Sequence, residues 1–96
     1  MTTIYSIIRI DGTVITAPSL TSDGRVEFVV LDGDSGREFL VRIARTELGG
    51  DVALGAHIRT TGSEGWVIPG RSWRHEPSRT ILDAHDVQLA ELAYAA

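Results

Sequence analysis

Arg25-Val26-Glu27-Phe28-Val29-Val30-Leu31-Asp32, the turn that closes with Gly33-Asp34-Ser35-Gly36, and Arg37-Glu38-Phe39-Leu40-Val41-Arg42-Ile43-Ala44 together decide the fold. Side chains alternate across a strand, so residues two apart share a face. In the first run Val26, Phe28 and Val30 share one face, and Arg25, Glu27 and Val29 share the other. In the second run Phe39, Val41 and Ile43 lie together, with Arg42 on the opposite face. Two alternating runs around an Asp/Gly-rich turn predict a β-hairpin.

Upstream, Ile4 to Thr16 is apolar and β-branched, interrupted at Asp11-Gly12, where a glycine inside a strand pattern predicts a bulge or sharp bend. Ala17-Pro18 to Gly24 reads as a loop. Downstream, Arg45 to Leu54 is a connector in which Gly49-Gly50 limits any helical turn. Gly55 to Gly62 is a fourth strand. Ser63 to Ser78, rich in Gly and Pro, holds both tryptophans, and Trp66 leads into Val67-Ile68 as a strand residue. Arg79 to Leu92 is a last strand, split near Ala84-His85, or else a short helix at its Ala/Leu/Glu-rich end. Ala93 to Ala96 is expected to fray.

About five strands, the first long and bent, with a short connector between the third and fourth, are the layout of an all-β, five-stranded OB-fold Greek-key barrel. A β-sandwich needs more strands, and an SH3-like barrel is the nearest rival. The 96 residues suffice for one domain spanning 1–96.

Composition excludes more than it assigns. There is no cysteine, which removes disulfides, thiolate catalysis and cysteine zinc sites. No run of about 18 apolar residues is present, so no membrane partner is expected. MTTIYSIIRIDG lacks the basic start and long apolar core of a signal peptide, and a cytoplasmic location is expected. His57, His75 and His85 match no metal spacing, and although His85 stands beside Asp83 and Asp86, no metal is expected. No nucleophile elbow, S-x-x-K or Walker loop appears, so neither an enzyme nor a cofactor is expected.

The net charge of −4 argues against a polyanion partner. Its distribution softens that objection. All nine cations are arginine, suited to phosphate forks and to stacking, and Arg71, Arg74 and Arg79 fall within RSWRHEPSR beside a single acid, Glu76.

The order of these pieces resembles the bacterial single-stranded DNA-binding proteins. Ile8-Arg9-Ile10-Asp11-Gly12-Thr13-Val14 with Ala17-Pro18 resembles their opening strand, and Gly24 leading into Val26-Glu27-Phe28-Val29-Val30-Leu31 their second. Arg37 to Ile43 resembles the third, where an aromatic commonly stands at the position of Phe39. Leu54 to Gly62 fits the fourth, Arg71-Ser72-Trp73 the loop that often carries a stacking tryptophan, and Leu82 to Leu89 the closing strand. The tailless, dimeric primosomal replication protein PriB is similar in length and ending. The sequence carries no long linker with an acidic tip, and Gly62 to Trp73 is a few residues longer than the family pattern. Recruitment through such a tail is therefore not expected.

The resemblance implies a single-stranded DNA partner, with RNA as the alternative ligand, in replication, repair or recombination. It also implies a homodimer or homotetramer and contacts with replication proteins. Trp73, flanked by Arg71 and Arg74 in a Gly/Pro-rich loop, is the leading stacking candidate. Trp66 divides between stacking and packing. Phe39 divides between an exposed platform and the core, whereas Phe28 reads as core and Tyr5 stays open. Arg42, Arg71 and Arg74, then Arg25 and Arg79, are candidate phosphate contacts, against ordinary pairing with Glu27, Glu38 and Glu76. Such clamps predict affinity that falls steeply with salt. The rival function is a protein-interaction or assembly module, with Val29 and Leu40 as exposed apolar positions.

Overall fold

The computed structural model describes residues 6–48 and 50–89. The expectations for Tyr5, Gly49, the Ala90 to Leu92 end of the last segment with its helical alternative, and Ala93 to Ala96 lie outside them. Six strands form one sheet: β1 (Ile7–Val14), β2 (Ser19–Leu20), β3 (Arg25–Asp32), β4 (Glu38–Ala44), β5 (His57–Ile68) and β6 (Arg79–Leu89). The order is β1-β5-β6-β4-β3-β2, and a further β1–β3 pairing closes the ring. β4 and β6 pair in parallel and every other pairing is antiparallel. This is the closed Greek-key connectivity of the OB fold. Among the described residues there is no α-helix, and the connector after β4 holds only a 3-10 turn over Arg45–Glu47.

The hairpin forms as its alternation requires. Phe28 faces Val41 and Val30 faces Phe39 across β3–β4. Phe28, Val30, Phe39 and Val41 join Ile58 and Leu82 in the core, none more than 2% exposed. Burying one such side chain contributes roughly 1.5–3 kcal/mol. The turn between the strands is fixed by Asp32, whose carboxylate accepts hydrogen bonds from the Ser35 amide (3.1 Å) and hydroxyl (2.6 Å).

Four local readings change. The loop from Ala17 to Gly24 contains β2, a two-residue strand whose Ser19 and Leu20 pair with Glu27 and Val26. Gly12 makes no bulge, because β1–β5 register runs unbroken from Ile7 to Thr13. It stands where β1 pairs with both β3 and β5, and a Cβ there would collide with the Leu31 carbonyl. β5 continues well past Gly62 to Ile68, since Val67 and Ile68 pair with Thr80 and Arg79. The split expected near Ala84-His85 is a β-bulge: Thr61 pairs with Asp86 and Gly62 with Ala84, leaving His85 as the extra residue. Through Leu89 the last segment is strand.

A second bulge sets the geometry of the far end of β5. Glu64 pairs with Leu82 and Val67 with Thr80, so Gly65 and Trp66 together oppose Ile81. Ile58, Thr60 and Gly62 point inward, and unbroken alternation would aim Trp66 inward as well. The bulge and the end of the barrel turn it out.

Candidate nucleic-acid interface

Two regions carry the candidate residues: the outer face of β3–β4–β6 and the tip of the β5–β6 hairpin. On the outer face the register stacks three rows. Glu27, Arg42 and Asp83 form one, Val29, Leu40 and Ile81 the next, and Leu31, Glu38 and Arg79 the third. Arg25 lies at the end of the same face, opposite Ala44.

Every arginine in these rows has a carboxylate beside it. Arg42 Nε lies 3.0 Å from Glu27 Oε1, close but not aligned as a hydrogen bond. Arg79 Nε donates to Glu38 Oε1 at 3.0 Å. Arg25 reaches across β4 to Asp83 at 3.6 Å and back to Asp23 at 3.7 Å. Asp23 itself is held below the usual carboxylate range, first by the Thr21 hydroxyl and then by Arg25. The face therefore balances its charge within itself, and the candidate phosphate contacts Arg25, Arg42 and Arg79 are all internally neutralised. A phosphate arriving there must displace a carboxylate that would then repel it.

Burial decides two of the candidate positions on β3 and β4. Phe39 is only 2% exposed and belongs to the core, with the Arg37 guanidinium 4.9 Å from its ring centroid. It has no open face to offer a base, so the alternation that grouped it with Val41 and Ile43 outweighs the family position. Val29 is 2% exposed, and its backbone is bonded by Ile15 and the Thr16 hydroxyl. It is therefore not the exposed apolar position the interaction-module reading used, and Leu40 beside it is half-buried.

The hairpin tip is the opposite case. Trp66 is 83% and Trp73 71% exposed, far above what a packing role requires. Val67 and Ile68 beside Trp66 are also exposed, so both faces of the strand end are apolar and open. Sequence reasoning missed this pair. The signal was the bare apolar run Trp66-Val67-Ile68 between Gly65 and Pro69-Gly70, with no second alternating run to bury both its faces.

Trp73 sits in a 3-10 turn, Ser72–Arg74. The Arg74 guanidinium lies 4.6 Å and that of Arg71 6.0 Å from its ring. Arg74 also approaches Glu76 at 3.8 Å, while Arg71 forms no ion pair among the described residues. The sequence thus gathers Trp66, Trp73, Arg71 and Arg74 on one hairpin, and separates them from Arg25 and Arg42 on the outer face.

Among the described residues no group of three or more His, Asp or Glu side chains is placed to hold a metal ion. Among the described residues the His85 ring meets the Ser63 hydroxyl (3.4 Å) and the His57 ring that of Thr13 (3.3 Å). Among the same residues no helix is long and apolar enough to cross a membrane.

No protein-family model matches the chain, and no curated protein matches it by sequence. Solved structures do match the fold. The mitochondrial single-stranded DNA-binding protein Rim1 of S. cerevisiae superposes with a TM-score of 0.64 at 14% identity, over 91% of this chain and 96% of its own. A small single-stranded DNA-binding protein from Streptomyces coelicolor gives a TM-score of 0.64 at 20% identity, over 96% and 98%. At these identities the likeness establishes the OB-fold barrel, over almost the full length of both partners.

Proposed function

We propose that this chain is a non-catalytic OB-fold protein that binds single-stranded DNA by stacking unpaired bases on the β5–β6 hairpin tip. The observation that carries this reading is the pair of open indoles, Trp66 and Trp73, on one hairpin beside Arg71 and Arg74. Every base has a π-face, so aromatic platforms hold single strands without regard to sequence, each worth roughly 1–3 kcal/mol per base. The two structural neighbours, both named as single-stranded DNA-binding proteins, support the same reading. Work in replication, repair or recombination follows from that ligand.

Stacking rather than phosphate clamping is the main source of affinity on this reading. Arg71 is the tip arginine outside an ion pair among the described residues, so one phosphate contact from the tip is expected. Log affinity then falls with log salt at a slope of about −0.7. This is shallower than three clamping arginines on the outer face would give.

A homodimer or homotetramer completes the proposal. β1 pairs with β3 from Gly12, and the Asp11 carbonyl accepts the Gly33 amide, so among the described residues Ile7 to Ile10 have β5 on one side and an open edge on the other. Open edges are covered in stable proteins, most often by a two-fold partner.

The test is a titration of intrinsic tryptophan fluorescence with oligo-dT and oligo-rU at low salt, with sedimentation for the oligomer. Strong quenching by oligo-dT is expected. If there is neither quenching nor a mobility shift at low salt, the proposal fails. The rival, a protein-interaction module, is then favoured by the net charge of −4 and by the exposed Trp66-Val67-Ile68 run.

A further inference from the structure

We infer that Arg74 is a positioning residue for Trp73, and that the loop from Gly70 to Pro77 is a closed frame that holds the ring ready for one unpaired base. This rests on the nucleic-acid reading above and assigns Arg74 a role other than phosphate contact.

The loop is tied to itself rather than to the barrel. The Arg71 carbonyl accepts both the Arg74 amide (2.9 Å) and the Glu76 amide (3.1 Å), and the Ser72 carbonyl accepts the His75 amide (3.2 Å). His75 then takes the left-handed conformation, φ 54°, which turns the chain back. The return leg crosses Gly70 so closely that a Cβ there would collide with the Glu76 carbonyl oxygen and lie 2.6 Å from the Pro77 carbonyl carbon. Only glycine lets the two legs meet.

Inside this frame Arg74 has two attachments, the indole at 4.6 Å and Glu76 at 3.8 Å. A guanidinium held over an aromatic ring fixes the ring and occupies part of its surface. Trp73 nevertheless remains 71% exposed, so most of the ring stays open to a base. Affinity gained this way comes from ordering the ring before the ligand arrives. A phosphate could take Arg74 only by drawing it off the indole and away from Glu76.

A double-mutant cycle on oligo-dT affinity separates the two roles. Arg74→Ala is expected to weaken binding about two- to fivefold, the range for an exposed cation–π pair. The salt slope should stay unchanged, and the variant should have no further effect in a Trp73→Ala background. A slope shallower by about 0.7, with independent effects of the two substitutions, would make Arg74 a phosphate contact and overturn the inference. Gly70→Ala should weaken binding as much as Trp73→Ala does while leaving the thermal midpoint unchanged. Wild-type affinity in Gly70→Ala overturns the frame. One readout needs no DNA: in a Trp66→Phe protein, Arg74→Ala should shift Trp73 emission. An unshifted spectrum refutes the positioning role even if oligo-dT binds. Failure of the wild type to bind oligo-dT refutes the nucleic-acid reading alone.

Discussion

The outer face of β3–β4–β6 and the tip of the β5–β6 hairpin are built from the same materials and used in opposite ways. On the face, Arg42, Arg79 and Arg25 are each set against a carboxylate, and the apolar row between them is closed at Val29 and Ile81. At the tip, two indoles stand open. Charge alone would place a polyanion on the face, because three neighbouring strands present Arg25, Arg42 and Arg79 there. Counting their partners reverses the choice. A cation already neutralised by its neighbour brings little net attraction, whereas an exposed aromatic ring has given up water-free packing and gains it back only from a ligand.

The largest effect that can break this contrast compares two aromatics, one from each region. Phe39→Ala removes a fully packed core ring and should cost about 3–5 kcal/mol of stability. Oligo-dT affinity should be unchanged in whatever fraction stays folded. Trp73→Ala should do the reverse, with the urea midpoint held and affinity lost by roughly 1–3 kcal/mol. If Phe39→Ala weakened binding by a folded protein, or Trp73→Ala unfolded it, the two regions would not be separable as described.

A smaller effect concerns the turn that joins the two strands of the face. Burial pushes the Asp32 carboxyl up, but hydrogen bonds from the Ser35 hydroxyl and amide outweigh it, and the net shift is below the ordinary value of 3.8. A depressed folded value means that the carboxylate stabilises the fold above the ordinary range. That contribution fades as pH falls through the depressed value. Asp32→Asn should therefore cost about 1 kcal/mol or less near pH 7. The gap between variant and wild type should narrow in urea unfolding carried down toward pH 2. A gap that stays constant with pH would show that the shape of the turn, and not its charge, is what matters.

Much of this architecture could be read from period-two alternation, because burial enforces it. Val26, Phe28 and Val30 against Phe39, Val41 and Ile43 can close only one way round a core. The tip was harder to read for the same reason. At Gly65-Trp66 a bulge breaks the alternation, and bulges are set by the partner strand and the end of the barrel, neither visible in local sequence. Phe39 was ambiguous because an aromatic at a strand position fits either face. Glu27, Glu38 and Glu76 could be named from the sequence as pairing acids, but not which arginine each takes: Arg42 meets Glu27 across the β3–β4 hairpin, whereas Arg25 reaches Asp83, and Arg79 meets Glu38, only because β4 and β6 lie side by side in parallel.

The smallest effect bears on whether the face takes any part in binding. Glu27→Gln, Glu38→Gln, Asp83→Asn and Asp23→Asn together remove the carboxylates from Arg42, Arg79 and Arg25 without changing side-chain size. Each pair is partly exposed, so the loss of stability should stay within about 1 kcal/mol per pair. What should change is the salt dependence. If a strand leaving the tip runs across this face, each released guanidinium becomes a phosphate contact and steepens the slope by about 0.7. Affinity at low salt should then rise as the slope steepens, since the self-pairing that opposed the phosphates is gone. If both affinity and slope stay at their wild-type values, the strand never crosses β3–β4–β6. The arginines there would then serve the barrel alone, and the hairpin tip would be the whole of the site.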